Sequence, residues 1–358
     1  MNENDAIIKL AKNVGATSPY ALATAKLNKK INWSRVANPR KLLEDTLGMP
    51  YEKLFDPKHN SPLYANKAAK DSQRIDVGGN VVWVDPGAFF DVTGCDVTDP
   101  IQGALGDCYF IAALSSIAWA RPYVIAERMF RDIDMIEFFQ AGKSVKINIS
   151  QLLPLSTPGN LYIYCRSGNT GEIWPALYEK AYAKWRTNDP GDKPNYAPIA
   201  GGDPVGALAQ LTGFVPYYQG TSGISGHDCW TKVRANSISS KTFNPMVAWT
   251  YGTSPSPDVN YDNAHLAANH AYSLLGWEFY NNQEYIILRN PWGTYEATLD
   301  VLPGAFDWVS WDQPYYGGAS GHWRPIHMAT SDGVFGLRSD IFQKYFAAFG
   351  WVKTPEAP

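Results

Sequence analysis

The sequence predicts an α+β fold, helical first and β-rich last, on three observations. The chain has 358 residues, of which 45% are hydrophobic and 18% charged, so it can bury cores for two domains. Helical patterns dominate before Gly213, whereas short apolar runs between turn residues dominate after Val215. An unusually apolar helical segment begins at Cys108.

The N-terminal region, residues 1–75, is predicted to be helical. Capping residues precede three apolar patterns, at Ile7 to Ala11, Tyr20 to Leu27 and Lys41 to Leu47. Residues 1–70 hold 12 Lys/Arg and 6 Asp/Glu, whereas the rest of the chain holds 19 and 28. This basic region predicts a regulatory or inhibitory contact with an acidic surface, although ordinary solvated helical faces would give the same pattern.

Two further regions follow, residues 76–213 and 214–352, and a short tail, 353–358. In the first, the patterns predict helices at Cys108 to Ala120, Ile173 to Trp185 and Asp203 to Thr212, and strands at Val77 to Val84, Val145 to Ile149 and Leu161 to Cys165. In the second, they predict strands at Pro245 to Thr250, Ala271 to Phe279, Glu284 to Leu288 and Val334 to Leu337, and a helix at Ser339 to Phe346.

Composition argues against several classes of protein. No apolar run approaches the roughly 20 residues that span a bilayer, and Met1 to Lys12 lacks the order of a secretory signal. We therefore expect a cytoplasmic protein without a membrane span, and leave secretion by a non-classical route open. No basic run is interleaved with aromatics, so no nucleic-acid partner is expected. The four cysteines show no CxxC spacing, which argues against structural zinc, and no organic cofactor is expected.

The segment from Gln102 to Ala120 is the most informative in the chain. Two glycines and Asp107 come immediately before an apolar helix, which places Cys108 on its first turn. The N–H groups and partial positive charge of a helix N-terminus favour a thiolate. Gln102 lies six residues earlier, where its amide N–H could stabilise the oxyanion of an acyl-transfer intermediate. A buried cysteine that merely starts a core helix remains the alternative at this point.

Two later motifs supply partners for such a thiol. His270 begins an apolar strand, and a second strand ends in Asn290-Pro-Trp292-Gly. If the two strands form an antiparallel hairpin, Asn290 lies near His270, and its oxygen can accept the imidazole N–H and fix the tautomer. Trp292 would then cover that hydrogen bond and exclude water.

Together these motifs resemble the protease core of calpains, within the papain-like cysteine peptidases. The motif Gln-Gly-x-x-Gly-Asp-Cys matches residues 102–108, and the other two blocks match at His270-Ala-Tyr-Ser and Arg289-Asn-Pro-Trp-Gly. The resemblance covers about residues 80 to 350. It implies a papain-like two-lobed core, in which a helical lobe carries Cys108 and a β-rich lobe carries His270 and Asn290.

The resemblance also implies a function, a cysteine endopeptidase that hydrolyses peptide bonds of a protein or peptide substrate. His270 and Cys108 would form a thiolate–imidazolium couple, while Gln102 and the Cys108 N–H hold the oxyanion. Gly202 matches the residue whose backbone pairs with an extended substrate. Two other functions stay open, a catalytically inactive module that binds peptide or glycan, and a thiol enzyme that transfers the acyl group to an amine.

Calcium is the one cofactor that the resemblance implies, at one site in the helical lobe. Its ligands would be the carbonyls of Val92 and Gly94 and the carboxylates of Asp99 and Glu172, all oxygen donors of the kind Ca²⁺ prefers. A second site, in the β-rich lobe, is expected to be weak or absent. Glu296 and Asp332 match the family there, but Val334 replaces an acidic residue.

Overall fold

A computed structural model describes residues 81–86, 94–130, 134–156, 161–168, 172–298, 300–307 and 333–355. The predicted N-terminal helices, the basic region, Val92 and Asp332 all lie outside these residues. The predictions made for them therefore stay predictions.

Among the described residues before Gly213 there are four α-helices. They are α1 (Cys108–Ala120), α2 (Pro122–Arg128), α3 (Trp174–Thr187) and α4 (Pro204–Thr212). Asp203 caps α4 through its side chain, and Gly213 ends it in the left-handed conformation that glycine adopts most easily. Three of these helices coincide closely with the predicted ones, while α2 was not predicted.

Small antiparallel sheets complete this lobe. β1 pairs with β6 and β6 with β7; β2 pairs with β8; and β3, β4 and β5 form a meander. The strands are β1 (Val81–Val84), β2 (Pro100–Ile101), β3 (Met129–Phe130), β4 (Met135–Gln140), β5 (Lys143–Asn148), β6 (Leu153–Ser156), β7 (Leu161–Tyr162) and β8 (Arg166–Ser167).

One predicted strand, Leu161 to Cys165, is wrong in its extent. β7 pairs with β6, but the chain then crosses to another sheet, where β8 pairs with β2. Between the two strands, the Ile163 carbonyl accepts a hydrogen bond from Ala104 N in the loop before α1. A continuous apolar run therefore serves two sheets, and local periodicity does not reveal such a change of partner.

The other lobe is built on one antiparallel sheet of eight strands. Its order is β14-β15-β13-β12-β11-β16-β9, and β10 pairs with β11. The strands are β9 (Val215–Gly220), β10 (Ser237–Ile238), β11 (Lys241–Thr250), β12 (Ala271–Tyr280), β13 (Gln283–Arg289), β14 (Ala305–Asp307), β15 (Val334–Arg338) and β16 (Phe346–Lys353). Two helices accompany the sheet, α5 (Gly226–Ala235) and α6 (Ser339–Tyr345).

The predicted hairpin is present and joins β12 to β13. Asn281 and Asn282 form its turn, both with positive φ, the geometry of the two-residue turn that matches the twist of paired strands. His270 immediately precedes β12 and Asn290 immediately follows β13, so the hairpin brings both residues to the same end of the sheet.

The two lobes meet where α1 lies against β11 and β12. Most of α1 is fully buried, which explains why its sequence is apolar on all sides. Polar groups are paired across the contact: Ser273 Oγ donates to Ala112 O at 2.8 Å, Met246 N to Ser116 Oγ at 2.7 Å, and Trp119 Nε1 to Leu275 O at 2.6 Å. The helix that carries Cys108 is thus fixed directly to the sheet that carries His270.

Within the described ranges, no single helix is long and apolar enough to cross a membrane. Only α1 and α2 taken together have the required length and composition, and they are bent by 111°.

Candidate active site

Cys108 lies at the first position of α1, at the end of a tight loop. The loop approaches the backbone of the helical lobe so closely that a side chain at Gly103 would overlap the Tyr164 carbonyl. All four cysteines are free thiols, and Cys108 is partly exposed whereas Cys95, Cys165 and Cys229 are buried. Of the four, Cys108 alone combines access with a helix N-terminus.

The Cys108 thiol lies against the strand that begins after His270. The backbone N–H groups of Ala271, Tyr109 and Cys108 itself lower its pKa and so favour the thiolate. Burial outweighs them and raises the Cys108 pKa to about 11, and the nearby Asp107 acts in the same direction. The helix N-terminus therefore reduces the effect of burial on this thiol without reversing it.

His270 is buried and held by Asn290. Its Nε2 lies 2.9 Å from Asn290 Oδ1, while Asn290 Nδ2 donates to Tyr295 O at 3.1 Å and Trp292 N donates to Oδ1 at 3.1 Å. Since Oδ1 can only accept, Nε2 carries the proton in the neutral ring and Nδ1 is left with its lone pair. Burial lowers the His270 pKa to about 4, although Asn290 opposes the shift.

Aromatic rings enclose the imidazole. The Trp292 ring centre lies 4.4 Å from that of His270, and the Tyr272 ring meets it edge-on at 5.0 Å. Trp292 thus lies beside the His270–Asn290 hydrogen bond, the position expected from the sequence. These rings exclude water from the bond and strengthen it.

Gln102 links the two lobes beside the thiol. Its backbone N donates to Pro291 O at 2.9 Å, in the loop after Asn290, and its side-chain Nε2 donates to Leu105 O at 2.6 Å. An amide nitrogen carries two hydrogens, so one N–H remains for a further acceptor.

Gly202 is an exposed backbone position next to α1. A Cβ at Gly202 would lie 2.5 Å from the Tyr109 ring, and Gly201 N donates to Gly106 O at 2.8 Å. The glycine pair is therefore held against the loop that enters the nucleophile helix, with space only for hydrogen at residue 202. Such a site allows close approach of a second chain.

Arg289 belongs to the motif that contains Asn290, but the sequence did not predict what its side chain binds. It is buried at the end of β13, and its guanidinium donates to Pro100 O at 3.0 Å, Ser115 Oγ at 2.8 Å and Thr98 O at 3.2 Å. One side chain of the β-rich lobe thereby binds both α1 and the loop before β2. A charged residue in an otherwise apolar strand is the sequence feature from which this role could have been predicted.

Two of the predicted calcium ligands, Asp99 and Glu172, are buried beside the β2–β8 ladder. Asp99 Oδ2 accepts from Trp174 Nε1 at 3.1 Å, and Glu172 Oε2 accepts from Ser167 Oγ at 2.7 Å. No group of three or more His, Cys, Asp or Glu side chains converges in the part of the chain that the structure describes. Carboxylates and the Gly94 carbonyl are nevertheless the donors that Ca²⁺ prefers, so these residues fit a carbonyl-rich site.

The β-rich lobe differs at the corresponding position. Glu296 Oε1 accepts a hydrogen bond from Gly333 N at 2.5 Å. Val334 is buried in an apolar cluster at the lobe contact, whose members are Val97, Trp119, Leu275, Ile287 and Val334. The Val334 side chain carries no carboxylate, so the expectation of a weak or absent second site stays a prediction.

A thiol at the start of a buried helix in one lobe, and an imidazole–amide pair at the end of the sheet against which that helix packs, are features of papain-like cysteine peptidases. A model of the calpain family of cysteine proteases matches residues 52–349. The chain therefore belongs to the calpain family.

Relatives in this family include a bacterial enzyme and animal calpains. The chain is 30% identical to a thiol protease of Porphyromonas gingivalis strain ATCC BAA-308 / W83 over 270 residues, 69% of the chain and 53% of that protein. It is 27% identical to mouse calpain-8 over 271 residues, which are 72% of the chain and 36% of that protein. It is 31% identical to human calpain-8 over 240 residues, which are 62% of the chain and 32% of that protein. The match thus spans about half or a third of these relatives.

Proposed function

We propose that Cys108, His270 and Asn290 are the catalytic triad of this cysteine peptidase and that it acts as an endopeptidase. The observation that carries the proposal is the bond of His270 Nε2 to Asn290 Oδ1, at 2.9 Å. That bond leaves Nδ1 as the proton acceptor. The Ala271 N–H, one residue on, lowers the pKa of the Cys108 thiol, which supports a nucleophile close to the start of this strand.

Acylation begins from a neutral pair in this proposal. Because burial raises the Cys108 pKa to about 11 and lowers the His270 pKa to about 4, the resting enzyme holds a thiol and a neutral imidazole. This differs from the preformed thiolate–imidazolium couple expected from the sequence. The sulfur attacks the peptide carbonyl carbon while its proton passes to His270 Nδ1, so the S–C bond forms as imidazolium appears.

The tetrahedral intermediate then collapses. Its oxyanion is held by the free N–H of the Gln102 amide and by the Cys108 backbone N–H. The C–N bond breaks, and imidazolium gives its proton to the leaving amine. In deacylation, His270 takes a proton from water and the resulting hydroxyl oxygen attacks the acyl carbon. The S–C bond then breaks, and the His270 imidazolium returns its proton to the Cys108 sulfur, which restores the thiol.

The substrate is a protein or peptide bound in extended form. Gly202 supports this, because its exposed backbone lies beside Tyr109 on the first turn of α1 with no side chain to block approach. An extended chain can hydrogen-bond to such a backbone without any requirement on its own side chains. Cleavage within a chain, rather than at its ends, is part of the proposal.

A calcium site in the helical lobe is part of the proposal. The carbonyls of Val92 and Gly94 and the carboxylates of Asp99 and Glu172 would hold the ion. The ion would neutralise two buried carboxylates and tie the segment before β2 to the segment before α3. It takes no part in the bond-making steps.

The test is hydrolysis of an unstructured protein by the wild type and by Cys108→Ser, with and without an added amine. We expect the wild type to release free carboxyl ends with or without the amine, and Cys108→Ser to release none while it unfolds at the same temperature. Amine-capped products would show transamidation instead. Substrate that is bound but never cleaved by the wild type would identify a binding module and overturn the proposal.

A further inference from the structure

Two carboxyl groups are buried side by side behind the nucleophile. Asp107, the residue before Cys108, is 0% exposed, and Glu179 in the middle of α3 is 1% exposed. Their side chains hydrogen-bond to each other. The mechanism proposed above uses neither.

The donors available to the pair are too few for two carboxylates. Glu179 Oε2 accepts from Cys165 N at 2.9 Å. The other three oxygens, Glu179 Oε1 and both of Asp107, accept from no donor among the described residues. Two ionised carboxylates buried side by side repel each other and lose the stabilisation that bulk solvent gives, so a proton shared between them is favoured.

No cation compensates the pair in the described part of the chain. The other titratable groups that interact with it are thiols and phenols, which are themselves weak acids: Cys108, Tyr109, Tyr164, Cys165, Tyr182 and Tyr196. Lys180 follows Glu179 in sequence, but its Nζ contacts Asp192 and the Ser150 carbonyl, and Arg166 acts on the Cys165 thiol. The pair therefore depends on its own proton.

Asp107 also has an unusual position for its residue type. It is the N-cap residue of α1, and aspartate is among the best N-cap residues, yet its side chain makes no capping hydrogen bond. The N–H groups of Cys108 and Tyr109 at this helix end lower the pKa of the Cys108 thiol. A carboxylate turned onto this helix end would compete for those groups and place a negative charge beside the sulfur.

We propose that Asp107 and Glu179 share one proton, and that Glu179 is thereby a positioning residue that holds the Asp107 side chain away from the helix end at which Cys108 reacts. Burial raises the pKa of Asp107 to about 7 and raises the pKa of Glu179 well above its usual range, in agreement with a retained proton. The shared proton is independent of the proposed function, whereas its effect on reactivity rests on Cys108 being the nucleophile.

The shared proton has a predictable effect on stability. The folded pair binds protons that the unfolded chain has already released, so the wild type loses stability as pH rises from about 4 through about 7, where the first of the two carboxyls ionises; the proton that remains is the shared one. His270 acts in the opposite direction, because its lowered pKa removes stability as pH falls from about 6.5 to about 4. Comparison of variants cancels the His270 contribution.

The first test is urea unfolding of Cys108→Ser protein across this pH range, alone and with Glu179→Gln. The glutamine amide replaces the proton as donor to Asp107, so we expect Glu179→Gln to gain stability relative to its parent as pH rises. Glu127→Gln, which changes an exposed carboxyl on α2, is the matched control, and the difference between its stability and that of its parent should not change with pH. If the difference in free energy of unfolding between Glu179→Gln and its parent does not change with pH, the proposal of a shared proton is overturned.

The second test is alkylation of Cys108 near neutral pH in otherwise wild-type protein. Glu179→Leu frees Asp107 to cap α1, so we expect slower alkylation and a thiol pKa shifted upward. Glu179→Gln, which still holds Asp107, should restore the wild-type rate and profile. If the rate of alkylation depends on pH in the same way in the wild type and in Glu179→Leu, the positioning role is overturned. If Glu179→Leu does not fold, a pH dependence in Glu179→Gln that differs from the wild type would overturn it.

Discussion

Burial moves the pKa values of two neighbouring residues in opposite directions. The pKa of Cys108 is raised to about 11 and the pKa of His270 is lowered to about 4. Near neutral pH, each residue taken alone is therefore uncharged. In the proposed mechanism, proton transfer from Cys108 to His270 creates two opposite charges. Each would stabilise the other in a site of low dielectric constant. The reactivity of the thiol therefore depends on the imidazole more strongly than exposure alone would suggest.

Substitution of the two sheet residues should separate proton transfer from orientation. We expect His270→Ala to slow peptide hydrolysis by about 10²–10⁴-fold, and to leave alkylation slow until the pH approaches the raised Cys108 pKa. Asn290→Ala leaves the Nε2–H unsatisfied and should cost about 10–100-fold.

His227→Ala, an exposed histidine on α5, is the control and should change neither rate. The measurements are kcat/KM and the rate of alkylation as functions of pH. Equal losses in His270→Ala and Asn290→Ala, with the fold intact, would contradict the orienting role of Asn290.

The chemistry-bearing residues could be predicted from the sequence, because motif and hairpin place them together. Cys108, His270 and Asn290 each lie at the end of a predicted element, and the elements are present. The Ala271 N–H at the thiol and the Asp107–Glu179 pair could not be predicted. These contacts join residues more than 70 positions apart and depend on how the elements pack, which no local pattern encodes.

At the scale of secondary structure, α1 is held against the sheet by β12 and, at Ser115 in its middle, by Arg289. The helix was predicted with its exact ends because it is apolar throughout and begins after a Gly-Asp pair. β9 and β16, in contrast, were not recognised as strands, because β9 carries exposed aromatics and β16 follows α6 without a turn signal. Tertiary pairing overrides local pattern there.

Removal of the Arg289 guanidinium should loosen α1. We expect Arg289→Met to lower the free energy of unfolding by about 2–4 kcal/mol, because three buried acceptors lose a charged donor. Arg338→Met is the matched control on the neighbouring strand β15, where the arginine forms a partly exposed pair with Asp340 and should contribute less than about 1 kcal/mol.

Urea unfolding of both variants in the Cys108→Ser protein would measure the difference. Arg289→Lys restores the charge but not the planar fork, and should recover only part of the loss. Equal stability of Arg289→Met and Arg338→Met would mean that Arg289 does not hold the lobes together.

At the scale of the whole molecule, side chains of the two lobes contact each other directly. The apolar cluster around Val334 and the bonds of Ser273, Met246 and Trp119 to the other lobe already fix α1 on the sheet. In the proposal, calcium binds only the helical lobe. Its effect should therefore be on stability more than on assembly of the cleft.

We expect Ca²⁺ to raise the melting temperature of the Cys108→Ser protein, since a ligand that binds only the folded state stabilises it by mass action. Mg²⁺ should have little effect, because it gives up its waters reluctantly. Asp99→Asn keeps an acceptor for Trp174 but removes the charge, and should abolish the shift, whereas Glu296→Gln in the β-rich lobe should retain it.

Calorimetric titration gives the number of sites. Two sites of similar affinity, or loss of the shift in Glu296→Gln, would contradict the argument from Val334. No binding at all would remove calcium from the account and leave the cleft assembled by protein contacts alone.

The most direct measurement of the central claim is labelling of the native protein with a peptidyl epoxide, followed by peptide mapping of the modified residue. The account predicts modification of Cys108 alone, because Cys95, Cys165 and Cys229 are buried and burial raises the pKa of Cys229 to about 12. The label should be lost in Cys108→Ser and strongly slowed in His270→Ala. Modification of another cysteine at a comparable rate, or undiminished labelling in His270→Ala near neutral pH, would contradict the assignment of nucleophile and base.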